Sequence, residues 1–309
     1  MEPVVVVGAG LSGVACAREL VTAGVPVRLV DRGRRAGGRM ASRRLDDRPV
    51  DLGASYLTAD GDFADVVADW ERRGLAHPWT DTFHVLAPDA EPRTTTGPVR
   101  WGASGGLRSL VEDLADGLDV ELGRHLEALP DAEVVVLAVP DTQAVRLLPA
   151  DDAFDGVRER LDRGSEPVLA LAARWDERSW DLDGAFVNDH PVLGWVADDG
   201  RRRGDGAPVL VAHSTSSFAE PHLAEPERAA GPMTQALRDL LGLAEPASTY
   251  LHRWSLARPT GERPEPFLME RVGSRVVAAC GDGWGPKPKV ETAWRSGRDL
   301  GRALADRLR

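Results

Sequence analysis

The sequence predicts an α/β protein that opens on a parallel βαβ unit. Three observations carry this. Pro3 to Val7 is a short β-branched run ending at a glycine. Leu11 to Ala23 has a helical pattern closed by Gly24, and Val25 to Val30 is a second apolar run ending at Asp31. Continuous apolar runs of this length suit strands buried on both faces, and a glycine just past the last turn ends a helix.

The remaining elements follow the same rules. A basic, glycine-containing loop runs from Arg32 to Arg44, then comes Val50-Asp51-Leu52-Gly53-Ala54. Asp62 to Arg73 reads as a helix, and Thr82 to Pro98, with turn formers and alternating apolar positions, as hairpins. Gly105-Gly106 precede a helix from Leu107 to Gly117, and short strands follow at Val120 to Leu122 and Val134 to Val139. The middle third mixes strands (Val168 to Arg174, Pro208 to Ser214) with a helix over Pro226 to Leu241. Asp198 to Ala207, polar and rich in glycine, reads as a surface loop. The C-terminal part returns to α/β texture: a buried strand at Arg275 to Ala279, a turn at Gly281-Asp282-Gly283, and a helix over Val290 to Leu308.

The chain has 309 residues, enough for about two domains at roughly 150 residues each. Its 42% hydrophobic and 28% charged residues are globular values. The formal net charge of −11 disfavours nucleic acid and anionic membrane as partners. Only Lys287 and Lys289 are lysines; every other basic residue is arginine. Two cysteines, Cys16 and Cys280, are too few for a disulfide framework, and no His/Cys/Asp cluster has metal-ligand spacing. With neither a signal-peptide pattern nor a long apolar run, the expected location is cytoplasmic.

Gly8, Gly10 and Gly13 form GxGxxG between strand and helix. Gly8 permits the tight turn, Gly10 lets a pyrophosphate approach the backbone, and Gly13 lets helix and strand pack closely. The phosphates then meet helix-terminal amides, and Asp31, eighteen residues past Gly13, stands where an acid meets a ribose hydroxyl. Arg32, Arg34 and Arg35 would suit a 2′-phosphate, which Asp31 would repel. They read more simply as a solvated basic loop, with Arg32 kept as a candidate cofactor contact. Gly37-Gly38-Arg39 extends the phosphate region and makes Arg39 available to a pyrophosphate, a pattern typical of FAD enzymes. Gly281 and Asp282 form a second motif at a strand end, where Asp282 can accept a ribityl hydroxyl. The helix opening at Val290 could aim its dipole at the flavin pyrimidine.

With these motifs the sequence resembles the renalase-like branch of the FAD-dependent amine oxidase superfamily, over nearly its whole length. The resemblance is carried by VVVVGAGLSGVACARELVTAGVPVRLVDRGRRAGGRMASRR from Val4, DLGASYLT from Asp51, WGASGGLRSLVEDLA from Trp101 and VVVLAVPDTQAVRLL from Val134. It continues through GAFVNDHPVLGWVADD from Gly184, TYLHRWSLARP from Thr249 and CGDGWGPKPKVETAWRSGRDLG from Cys280. It implies noncovalent FAD and a Rossmann-like FAD-binding domain of the amine oxidase / p-hydroxybenzoate hydroxylase type with an inserted, β-rich α+β substrate domain. On that pattern residues 1–60, 101–150 and 263–309 form the FAD domain, and 61–100 and 151–262 the substrate domain. It also implies hydride transfer to flavin N5 and reoxidation by O2 to H2O2. The substrates implied are misreduced dihydronicotinamide isomers of NAD(P). Carried over residue by residue, it assigns Gly8, Gly10, Gly13, Asp31, Gly38, Arg39, Gly53, Ala54 and Asp282 to FAD, with Leu126 as a weaker match near the adenine. Asp31 stands where Glu is commoner.

Flavin oxidation needs alignment of the donor and exclusion of water more than acid–base machinery. Tyr56, Trp254 and Trp284 are candidate cavity walls, or core packing. His252 is a candidate catalytic residue or a structural histidine. Asn188 and His190 could reach a substrate carboxamide or phosphate, or form a turn. Arg253 and Arg258 could bind substrate phosphates or make surface ion pairs. Cys16 reads as a small core residue, and Cys280 does not match the superfamily's covalent cysteine. Neither lysine matches the flavin-adjacent lysine of many amine oxidases. Ser104 lacks the GxSxG frame. The readings that remain are a renalase-type oxidase of a small-molecule dihydronicotinamide, an oxidase or desaturase of an amine or secondary metabolite, and a non-catalytic FAD-binding protein.

Overall fold

A computed structural model describes residues 2–88 and 90–309. The chain forms two units, one comprising the chain up to Met40, Arg108–Ser165 and Arg258–Arg309, the other Ala41–Leu107 and Glu166–Ala257.

The first unit is built on a six-stranded sheet in the order Leu268–Val272, Arg275–Ala279, Val134–Leu137, Val4–Val7, Val27–Asp31, Val120–Leu122. All pairings are parallel except that between the first two strands, which is antiparallel. The Val4–Val7 strand is buried along its length, and the chain leaves it in opposite directions to its two neighbours. That is the switch point at which doubly wound sheets open a crevice beyond their strand ends. The helix Leu11–Thr22 follows, and Val290–Leu308 begins and ends where the sequence places it. These two helices meet backbone to backbone. A Cβ on Gly297 would overlap the Ser12 carbonyl, and one on Gly301 would lie 2.6 Å from the Cys16 carbonyl oxygen.

The second unit carries an eight-stranded sheet in the order Ser248–Pro259, Ser165–Arg174, Val209–Ser214, Leu193–Asp198, Gly184–Val187, His77–Ala87, Ala90–Gly102, Leu57–Thr58. The hairpin expected over Thr82 to Pro98 is longer, spanning His77–Ala87 and Ala90–Gly102; residue 89 of that range lies outside the described residues. Alternation divides the sheet into two faces. Leu169, Leu171, Val196, Leu210 and Ala212 pack with Met233, Ala236 and Leu237 of the helix Ala230–Leu241. Ala170, Ala172, Val209 and Val211 face the other way and pack with Val50 and Leu52.

Three differences from the sequence expectations have physical causes. Residues 41–60 and 101–107 fall in the second unit rather than with the N-terminal segment. Ser42–Leu45 pairs with Arg48–Asp51, Leu57–Thr58 pairs with Arg100 and Trp101, and Leu52 is buried on the sheet. Residues 151–165 join the first unit, because Phe154, Val157 and Leu161 fill its core. The expected surface loop at Asp198 to Ala207 is instead a short helix, Asp199–Arg203, in which Asp199, Arg202 and Arg203 are all buried. Asp198 caps it by accepting from Arg201 N at 2.8 Å, and Gly204 ends it at φ 81°.

Candidate functional site

The first unit builds a cradle at the mouth of its switch point. Gly8 has φ +111°, and a side chain there would drive into the Ala138 carbonyl. Gly10 is the N-cap of the first helix and supplies no side-chain cap, so the first-turn amides lack an intrahelical acceptor and form an anion site. Gly38 (φ +53°) approaches the same loop: a Cβ on it would lie 3.1 Å from Gly10 Cα. Gly37 N donates to Ala9 O at 2.9 Å and fixes the two loops together. The backbone path here demands glycine at Gly8, Gly13 and Gly38, while Gly10, with no side chain, leaves the loop open to a pyrophosphate.

Asp31 accepts from Ala9 N at 2.7 Å with Oδ2 and from Gly33 N at 2.6 Å with Oδ1. It thus braces the glycine loop, and each oxygen keeps a lone pair for a ribose hydroxyl. Arg39 and Asp282, expected to contact pyrophosphate and ribityl separately, are paired with each other. Their two-pronged ion pair includes Arg39 Nη1 to Asp282 Oδ2 at 3.0 Å. Both line one cleft with Ser12, Pro140, Cys280 and Trp284. The motifs at residues 8–13, 37–39 and 281–284 therefore converge although more than 240 residues separate the two ends. Gly281 N donates to Ser296 Oγ at 3.0 Å, which ties the second motif to the C-terminal helix. Val290 opens that helix and is half-buried.

Other expected contacts sit differently. Arg32 and Arg34 are exposed, while Arg35 pairs with Glu112 at 2.7 Å, as a solvated basic loop would. Leu126 packs on the hydrophobic core of the first unit. Burial pushes the Cys280 thiol up to about 12 and raises Cys16 as well, so neither is a thiolate nucleophile. FAD is the cofactor that this cradle fits.

In the second unit the tract from Val50 to Tyr56 brings several predicted residues together. Trp254 donates its indole N–H to Leu52 O at 2.8 Å, immediately before Gly53 and Ala54. Tyr56 ends the tract among Phe83, Trp195 and Trp79, at ring-centroid distances of 5.4, 5.8 and 6.4 Å. The Arg100 guanidinium lies 4.2 Å from the Phe83 centroid. Burial raises the Tyr56 phenol, and Arg100 opposes the rise, so Tyr56 is a neutral phenol at pH 7. His252 meets Trp254 edge-on at 4.6 Å. Burial, with the positive charges of Arg43 and Arg253, pushes His252 down to about 4; it is a neutral imidazole at pH 7 and a weaker base than free histidine. Asn188 does not join this tract. It is exposed in a turn, its N–H donating to Leu86 O at 2.8 Å, beside Asp189 at φ +53°. His190 Nδ1 accepts from Val192 N and Leu193 N at 3.0 and 3.1 Å, so this segment has the chemistry of a turn rather than of a substrate contact.

The sequence reading missed the ionic network beneath that tract. Arg202 donates to Ser55 O at 2.9 Å and to Asp51 O at 3.0 Å, and it is paired with Asp199. Arg203 reaches Asp51 at 3.1 Å, and Arg48 meets Asp199 at 2.5 Å. Arg202, Arg203 and Arg48 outweigh the desolvation of Asp199 and hold its carboxyl well below the usual range. The available signal was DDGRRRGDG, whose Asp199 stands three and four residues before Arg202 and Arg203, the spacing of pairs on one helical face.

A family model described as an NAD(P)-binding Rossmann-like domain matches residues 6–71. The chain is 31% identical over 143 residues to (S)-6-hydroxynicotine oxidase of Paenarthrobacter nicotinovorans, covering 43% of this chain and 33% of that protein. It is 32% identical over 133 residues to putrescine oxidase of Kocuria rosea (39% and 26%). It is 34% identical over 140 residues to a rice (Oryza sativa subsp. japonica) protein named lysine-specific histone demethylase 1 homolog 3 (41% and 17%). The matches thus span a third or less of the length of these relatives. Among solved structures, a redesigned putrescine oxidase superposes with a TM-score of 0.76 at 16% identity, and cyclohexylamine oxidase from Brevibacterium oxydans IH-35A with 0.74 at 13%. Each covers 99% of both chains. The fold is that of the FAD-binding amine oxidases along the whole chain.

Proposed function

We propose that this chain is an FAD-dependent oxidoreductase that takes a hydride from a small organic donor. The observation that carries the reading is the convergence of GxGxxG, GGR and GDG in one cleft, with Arg39 and Asp282 joined across it. When bound, FAD supplies the hydride acceptor and O2 the terminal oxidant. The chain's own residues bind and orient. The helix amides after Gly10 hold pyrophosphate, Asp31 receives a ribose hydroxyl, and Asp282 receives a ribityl hydroxyl. In the second unit the tract Gly53 to Tyr56 and Trp254 offers planar surfaces to a ring, with neutral His252 set edge-on beside Trp254.

The finer reading is a renalase-type oxidase of misreduced dihydronicotinamide isomers of NAD(P), acting in the cytoplasm with O2 as acceptor. It rests on the segments from Gly184 and Thr249, and on the exposure of Lys287 and Lys289, which leaves the described residues without a buried lysine. A second reading, an amine oxidase, is favoured by the names of the similar proteins, which act on putrescine and 6-hydroxynicotine. Stopped-flow mixing of anaerobic holoprotein with each donor separates them. The first reading expects the flavin band to bleach with the dihydronicotinamide isomers and not with putrescine or other amines. Bleaching by amines alone gives the second reading.

A further inference from the structure

Arg263 is 5% exposed, and the cofactor motifs do not include it. Its guanidinium lies 3.6 Å from the centroid of Trp284, the residue that follows Gly281-Asp282-Gly283. One nitrogen, Nη2, donates both to Asp141 Oδ2 and to Arg160 O, each at 2.7 Å. Its backbone forms an isolated bridge with Gly285. The loops so gathered leave the strands Val134–Leu137 and Arg275–Ala279 and the helix Asp155–Arg160. Two of these loops supply Asp141, Asp282 and Trp284 to the cleft wall. The first unit thus fastens the cleft end of its sheet with one buried cation.

The Arg263 guanidinium is only partly satisfied: Nη1 has no hydrogen-bond partner among the described residues. The arrangement is costly as packing, since a buried ion pair rarely outperforms apolar side chains of the same volume. As preorganisation it is economical: one planar group sets a ring and a carboxylate on two separate loops.

We propose that Arg263 is a positioning residue for the flavin cofactor, fixing the Asp282–Trp284 turn and Asp141 in the geometry that retains FAD. The inference rests on the FAD reading above. Its test is FAD affinity, by quenching of flavin fluorescence on titrating apoprotein, together with the visible circular dichroism of the bound flavin. Three variants are compared: Arg263→Met, Arg263→Lys, and Arg263→Met combined with Asp141→Asn, which removes the orphaned carboxylate if the single change fails to fold. The expected result is a loss of FAD affinity of about tenfold in the methionine variants, a change in the flavin dichroism, and partial recovery with lysine. FAD affinity and dichroism unchanged in whichever of these variants folds would overturn the assignment. A wild-type chain that binds no FAD would instead overturn the FAD reading, and this inference with it.

Discussion

Asp31 shows how much one short side chain can do. Its two oxygens bind the amides of Ala9 and Gly33, so the residue shapes the glycine loop before any ligand arrives. Asp31→Ala should therefore weaken FAD binding by about tenfold or more, since it removes charge-assisted bonds and a ribose acceptor together. Fluorescence titration of apoprotein checks this, and Asp31→Glu should recover only part because its longer arm displaces the loop. His252 makes a pH prediction. Its folded value of about 4 lies below the ordinary 6.5, so the unfolded chain binds the proton more readily. Its contribution to stability is complete above pH 6.5 and is lost as pH falls towards 4, with no further loss below. Burial lowers His190 too, which acts in the same direction. Replacing His252 with Gln should flatten the fall in melting temperature across that window. Asp199, held down by three arginines, keeps its charge through the same range, so the ionic network is intact there.

At the scale of elements, the close pairing of the first and last helices is the clearest case of sequence dictating packing. Gly297 and Gly301 stand one turn apart where the Leu11–Thr22 backbone passes. Gly297→Ala should cost about 1–3 kcal/mol in urea unfolding, because added volume has no room to relax. An alanine on exposed Gly231, where nothing lies within 4 Å, should cost far less. Much of this layer was legible beforehand. The opening βαβ unit and the C-terminal helix have strong periodicity, glycine punctuation and apolar runs that stand without tertiary context. The helix Asp199–Arg203 was not legible. Its residues are the polar, glycine-flanked set that marks a loop, and only mutual pairing inside the fold makes their burial tolerable. The same dependence makes it brittle: Arg202→Met should destabilise the second unit by about 3–5 kcal/mol, by leaving Asp199 buried with less charge compensation. Chemical denaturation monitored by tryptophan fluorescence would register it.

Across the whole molecule, the chain order of motifs was readable, while their meeting was not. Local signals mark Gly8 to Gly13 and Gly281 to Gly283 separately; the sheet order that sets Val134–Leu137 between Val4–Val7 and Arg275–Ala279 unites them. Boundaries between the units were less legible, because the hairpin Ser42–Asp51 follows the nucleotide loop directly but finds its partners on the other sheet. Candidate residues divide along the same line. Those defined by backbone geometry, Gly8, Gly13, Gly38 and Asp31, shape one loop through close approaches and hydrogen bonds. Those chosen for chemical type alone, Asn188 and Arg32, are exposed in a turn and a loop. Among the described residues no helix is long and apolar enough to cross a membrane.

The central claim is that the converging motifs hold a flavin that accepts a hydride from a dihydronicotinamide isomer. The direct measurement is anaerobic mixing of purified holoprotein with the isomers formed by chemical reduction of NAD+, following the visible flavin band. The account predicts rapid bleaching that reverses when oxygen is admitted. A bound flavin that stays oxidised with these donors would contradict the substrate assignment, and a chain that takes up no FAD would contradict the account at its root.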